Sequence, residues 1–211
     1  MTNNTIELFG QVTGDAVLNH IAYGEKFYTL GFSVDRLSES KDHLEVIVSE
    51  KLMFGIEAGT YLHLFGEVRT YNKNVEGKNK LIIAVFAKEA HVVTDADVIE
   101  DLKATNTVTI KGFLCKTPVL RSTPFGKQIT DLLIAVNRRF HKSDYIPCIA
   151  WGRNAIYANH FEVGQAVEAT GRLQSREYTK RLEDGTTETR TAYEFSISNI
   201  AIANEDDCKA E

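Results

Sequence analysis

The sequence predicts an all-β protein built from two tandem copies of one five-stranded barrel, each with a short helix between its third and fourth strands. Three observations predict it. Short β-rich runs recur at close spacing with turn signals between them, the pattern of a small sandwich or barrel. The chain has 211 residues, room for two domains of about 100 each. The second half also repeats the first. Setting Gly10 on Gly112 sets Gly24 on Gly126, Val34 on Val136 and Arg36 on Arg138 without a gap. After a three-residue insertion, Gly59 falls on Gly164 and Gly66 on Gly171. A shared glycine and apolar skeleton over a domain's length marks a repeat.

In the first copy, residues 1–93, strands are expected from Ile6, from Lys26 to Val34 after a Gly24 turn, and from Leu44 to Val48. Phe54 to Gly59 reads as a short helix or turn. The strand Tyr61–Tyr71 follows, then a Glu76-Gly77 turn and Lys80–Ala87. Residues 94–105 are acidic and lack Gly and Pro. They fit a short helix capped at Thr94 or Asp95, a stiffer joint than a Gly/Ser linker. In the second copy, residues 106–203, Val108, Ile110 and Leu114 alternate, then Leu132, Ile134 and Val136, then Tyr145–Trp151. Arg153–Phe161 reads as a helix, Gln165–Tyr178 as a long strand and Thr189–Ile202 as the last, with Asp184-Gly185 as a hairpin turn. Five strands with a helix after the third is the order of the OB-fold. The tail, residues 204–211, is acidic and is expected to fray.

Composition is that of an ordinary globular chain, 43% hydrophobic and 25% charged. No run approaches the roughly 18 apolar residues of a membrane span. Met1-Thr-Asn-Asn-Thr5 has no signal-peptide pattern, so a cytoplasmic chain without membrane partners is expected. Cys115, Cys148 and Cys208 are odd in number and far apart. They suggest neither a disulfide framework nor a zinc site. The six histidines are scattered, and no P-loop or nucleophile-elbow pattern occurs. No cofactor and no enzymatic activity are expected. The net charge of −5 hides a polarised chain: residues 1–104 carry −6, residues 105–203 carry +4 and the last eight −3. Only the middle segment suits a polyanion.

That segment contains Leu132-Leu-Ile-Ala-Val-Asn-Arg-Arg-Phe140 and Tyr145-Ile-Pro-Cys-Ile-Ala-Trp151-Gly-Arg153. Side chains alternate along a strand, so Tyr145, Ile149 and Trp151 share one face and Ile146, Cys148 and Ala150 the other. In the fourth strand Arg172, Gln174, Arg176 and Tyr178 share a face, opposite Val167, Ala169 and Leu173. Arg138, Arg139, Phe140 and Arg153 would stand at the rim, and Lys180, Arg181 and Arg190 on a hairpin able to close over it. Rings stack bases with little sequence preference and cations neutralise phosphates.

These residues resemble the bacterial single-stranded DNA-binding proteins over roughly 105–203. The likeness lies in Arg121-Ser-Thr-Pro-Phe-Gly126, Leu133-Ile-Ala-Val-Asn-Arg-Arg-Phe140, Asp144-Tyr-Ile-Pro147, Ala150-Trp-Gly-Arg153 and Glu168-Ala-Thr-Gly-Arg-Leu-Gln-Ser-Arg-Glu-Tyr178. The resemblance implies that Phe140, Tyr145, Trp151 and Tyr178 stand at base-stacking positions. Arg138, Arg139, Arg153, Arg172 and Arg176 are read as phosphate contacts. It implies an assembly of four OB-folds, which a two-fold chain would reach as a homodimer, and work in DNA replication, recombination or repair. Two departures stand out. The chain ends Glu205-Asp-Asp-Cys-Lys-Ala-Glu211, without the apolar tip by which the family recruits repair and replication proteins. The first copy carries Ser38, His43 and Ser49 at three ring positions, Glu45 mid-strand and Glu67 in place of Arg172, although Arg69 and Tyr71 remain. An alternative is therefore a primosome-type module that holds replication proteins, with weak DNA contact.

Overall fold

The computed structural model describes residues 2–75, 78–181 and 185–209. The expected Glu76-Gly77 turn, Asp184 of the Asp184-Gly185 turn and the last two residues lie outside these. The first half contributes β1 (Asn4–Val12), β2 (Val17–Ala22), β3 (Glu25–Asp35), β4 (Lys41–Ser49), β5 (Tyr61–Val75) and β6 (Lys78–Val93). Helix α1 (Ala96–Leu102) leads to β7 (Asn106–Leu114), β8 (Val119–Ser122), β9 (Gln128–Arg138) and β10 (Lys142–Trp151). Helix α2 (Arg153–Ala158), β11 (Ala166–Arg181) and β12 (Thr187–Ile202) complete the chain's main elements.

Each half closes in the same way. In the first, β1 pairs with both β5 and β3, β3 with β4, β5 with β6, and β4 runs parallel to β6. In the second, β7 pairs with β11 and β9, β9 with β10, β11 with β12, and β10 runs parallel to β12. The two rings are OB-folds. Alternation explains the burial. Leu30, Phe32 and Val34 face Leu44, Val46 and Val48 inside the first barrel, and Leu132, Ile134 and Val136 face Ile146, Cys148 and Ala150 inside the second. Each large apolar side chain so buried contributes about 1.5–3 kcal/mol relative to exposure. At Gly66 and Gly171 the strand bulges. A Cβ there would collide with the backbone carbonyls of Phe86 and Ser196, so the shared glycines permit the close crossing.

Three features depart from the sequence expectation. Strands β2 and β8 extend β3 and β9 as hairpin arms. Both are mostly exposed, so no buried alternation announced them. In the first barrel the helix between the third and fourth barrel strands is one 3₁₀ turn, Glu50–Leu52, and Phe54–Gly59 takes the turn rather than the helix form of the expectation. The connection there is three residues shorter than in the second copy, leaving no room for α2's counterpart. The tail does not fray as a whole. Residues Glu205–Cys208 form a 3₁₀ turn, Cys208 is fully buried, and its thiol donates to the Gly112 carbonyl at 3.5 Å. As expected, α1 is a short helix capped by Asp95, which accepts from Asp97 N and Val98 N, and it buries no residue. It is not what holds the halves together.

That joint is the antiparallel pairing of β1 with β7, centred on Ile6 opposite Val108, with Asn4 opposite Ile110 and Leu8 opposite Asn106. These partners are reciprocal under the repeat, so a local two-fold relates the barrels. Two buried carboxylates lock it. Asp144 Oδ1 accepts from Thr70 N at 2.6 Å, and its Oδ2 lies 3.2 Å from Arg69 Nη1 and 3.1 Å from Arg138 Nε. In mirror fashion, Asp42 Oδ1 accepts from Ser175 N at 2.8 Å and Asp42 Oδ2 from Arg36 Nε at 2.9 Å. Tyr145 N donates to Thr70 Oγ1 at 2.9 Å, and His43 N to Ser175 Oγ at 2.8 Å.

Candidate functional site

The outer face of β10, β11 and β12 carries the expected residues. Ile149 shares strand parity with the open rings Tyr145 and Trp151 but is the floor of this face, only 7% exposed. Trp151 ends β10, and its Nε1 donates to Ser196 Oγ at 3.2 Å. One edge of the indole is thereby pinned while 37% of the residue stays open to solvent. Gly152 turns the chain directly afterwards with φ +56°, which puts exposed Arg153 at the start of α2.

Arg172 lies opposite Ser196 on the β11–β12 ladder, and Gln174 opposite Glu194. The polar groups form a relay. Arg172 Nη2 reaches Gln174 Oε1 at 3.4 Å, Gln174 Nε2 donates to Glu194 Oε1 at 2.7 Å, and Arg176 Nε stands 4.0 Å from the same carboxylate. Glu194 and Gln174 are themselves buried, so they hold the arginines in line from behind. The Arg176 guanidinium lies 6.0 Å from the Tyr178 ring centroid, at the outer limit of a cation–π contact. Trp151, Arg172, Arg176 and Tyr178 thus share one surface, with Tyr145 at the other end of β10.

Phe140 sits at the β9–β10 tip, 89% exposed, where it and His141 take φ of +61° and +55°. Arg139, Phe140, His141 and Lys142 line a cleft of about 680 Å³ with Lys209 from the docked tail. Arg138 lines this cleft too, and its guanidinium also reaches inward. It faces Asp144 in the joint between the barrels, because the carboxylate buried on the next strand takes its charge. Arg69, held in the sequence reading as a surviving contact of the first copy, is drawn into the same joint and also pairs with Glu67. On the long hairpin, Lys180 and Arg181 are exposed, while Arg190 pairs with Glu188 at 2.7 Å.

Phe125 is a further exposed ring on this barrel, outside the expected residues. It is 93% exposed on the β8–β9 arm, before Gly126 with φ +77°. Its signal was the Thr123-Pro124-Phe125-Gly126 turn, an apolar ring where a turn normally carries polar residues. Burial raises the thiol pKa of all three cysteines, most of all Cys148, which leaves them poor nucleophiles. Among the described residues no cluster of three His, Cys, Asp or Glu side chains is placed to hold a metal, and no helix is long and apolar enough to cross a membrane.

The chain is two joined OB barrels, one bearing a row of rings and guanidinium groups across its open face. Residues 105–202 match the model of the single-strand binding protein family. A single-stranded DNA-binding protein of Clostridium tetani is 39% identical over 88 residues, which cover 38% of this chain and 59% of that one. Single-stranded DNA-binding protein A of Bacillus subtilis is 39% identical over 80 residues, covering 35% and 46%. The chain thus spans about half the length of the curated relatives it matches. Among solved structures, the wild-type single-stranded DNA binding protein from Thermus aquaticus superposes with a TM-score of 0.75 at 19% identity, covering 96% of this chain and 93% of that one. That likeness extends the shared fold to both barrels.

Proposed function

We propose that this chain binds single-stranded DNA with little sequence preference, chiefly through its second barrel. The observation that carries the reading is Trp151, pinned at one edge by Ser196 with its face open beside Arg172 and Arg176, inside the segment that matches the family. Bases of an unpaired strand stack on Trp151, Tyr145, Tyr178 and Phe140. Arg139, Arg153, Arg172 and Arg176 meet the phosphates, and Arg138 supports the groove from the joint. A duplex hides its bases and offers only phosphates to such a surface, so the rings select unpaired strands. The biological use is protection of unpaired DNA in replication, recombination or repair, by a homodimer that gathers four barrels.

Titration with oligothymidylate at two salt concentrations, following Trp151 fluorescence, tests the reading. Strong quenching is expected. With four arginines at the phosphates, log K should fall with log salt at a slope of about −3. Absence of both quenching and a mobility shift would instead favour a protein-holding module. Light scattering on the free chain reports the dimer, and a monomer at micromolar concentration removes that part of the proposal.

A further inference from the structure

The first barrel carries Ser38, His43 and Ser49 where the second has Phe140, Tyr145 and Trp151, yet it has an aromatic wall of its own. In the parallel ladder of the second barrel Ile149 pairs with Ser196, and in that of the first Ile47 pairs with Phe86. Where the second barrel holds Trp151 and Ser196, the first holds Ser49 and Phe86. The ring has moved from the end of one strand to its neighbour across the same groove. Phe27, opposite Ser49, packs against Phe86 with centroids 5.7 Å apart, and His20 stacks on Phe27 at 4.7 Å with planes 5° apart. Ile47 supplies a buried floor, as Ile149 does in the second barrel. Tyr71 and Arg69 from β5 stand across a cleft of about 400 Å³.

Cross-strand packing explains the ring contacts but not an open cleft lined by His20 and half-exposed Phe86, with Phe27 packed behind both. The acidity of this half does not close it to a strand. Glu25 is held by Lys51 at 2.8 Å and by Ser49. Glu67 is held by Lys88 and Arg69. Glu45 remains near Tyr71, on the side of the joint where Tyr193 of the other barrel stands. We propose that this cleft is a second base-stacking subsite, built by His20, Phe27 and Phe86, which takes one or two bases of an unpaired strand. The inference rests on the strand-binding reading given above and extends it to a face whose motif residues are absent. It also predicts a longer footprint per chain than the second barrel gives alone.

The test is ultraviolet cross-linking of the full chain to long bromodeoxyuridine-substituted oligothymidylate, with the linked residues mapped by mass spectrometry. Links to His20, Phe27 or Phe86 alongside links to the second barrel are expected. Phe86→Leu keeps the bulk and removes the stacking face. It should weaken binding of the long strand roughly tenfold, the scale of one base–aromatic stack, with saturating Trp151 quenching retained. Links confined to the second barrel, with Phe86→Leu binding like the parent, would overturn the subsite and leave the strand-binding reading intact. No links and no quenching would remove both. If Phe86→Leu fails to fold by circular dichroism, exposed His20→Ala replaces it, and the cross-linking needs no variant.

Discussion

Asp144 gives the sharpest test of how the barrels are joined. Its side chain is fully buried, while the Arg69 and Arg138 side chains facing it are 23% and 32% exposed. Asp144→Ala removes the acceptor for Thr70 N and leaves two guanidinium groups facing each other without their shared carboxylate. Removing one partner of a buried pair costs about 3–5 kcal/mol. Both arginines keep some solvent and Arg69 keeps Glu67, which points to the lower end, about 3 kcal/mol. For a chain of this size that lowers Tm by about 6–12 °C. Differential scanning calorimetry measures it, with Asp131→Ala as the internal standard. Asp131 pairs with Arg121 in the open, at 40% and 48% exposure, a class of pair worth about 0–1 kcal/mol. If Asp144→Ala melts within 2 °C of the parent, or no lower than Asp131→Ala, the carboxylate does not lock the joint.

Trp151→Ala should lose about 1–3 kcal/mol of affinity for oligothymidylate, read by fluorescence anisotropy of a labelled strand; unchanged affinity takes the indole off the binding surface. Gly171→Ala drives a Cβ into the Ser196 carbonyl, whereas a Cβ at Gly14 meets nothing within 4 Å. The first should cost about 1–3 kcal/mol by overpacking and the second almost nothing, and equal urea midpoints would refute the close-crossing account of the shared glycines. Native alkylation at neutral pH should spare Cys148 and Cys208, both buried with raised thiol pKa, and reach half-buried Cys115 first. Rapid modification of Cys208 would mean that the tail turn does not stay docked.

The barrel strands were legible because burial wrote itself as alternation. Leu132, Ile134 and Val136 announce β9, and Tyr145–Trp151 announces β10 whatever surrounds them. The repeat was legible because glycines such as Gly66 and Gly171 admit no side chain. Strand β2 left no such trace, since Val17, Leu18 and Ile21 are all exposed and a backbone ladder holds it. Long-range charge pairing was equally silent. Residue type and position make Arg138 look like a rim cation, and only the folded chain shows a buried carboxylate taking its charge. The link from Asp42 to Ser175 spans 133 positions and has no local signature. Acidic composition argued for a loose tail, but one apolar thiol, Cys208, found a seat beside β7.

The two-fold centred on Ile6 and Val108 has a consequence for anything laid across both barrels. A nucleic-acid strand has direction, and a rotation axis between two grooves reverses it. A single straight strand that ran 5′ to 3′ through one groove would meet the other groove the wrong way round. To enter both in the same sense it must loop back; otherwise the two grooves must grip it by different contacts. In an assembly of separate identical barrels, every change on one face is imposed on its mate. Here both faces belong to one polypeptide, so Trp151 on one side and Phe86 on the other can each suit its own direction of travel.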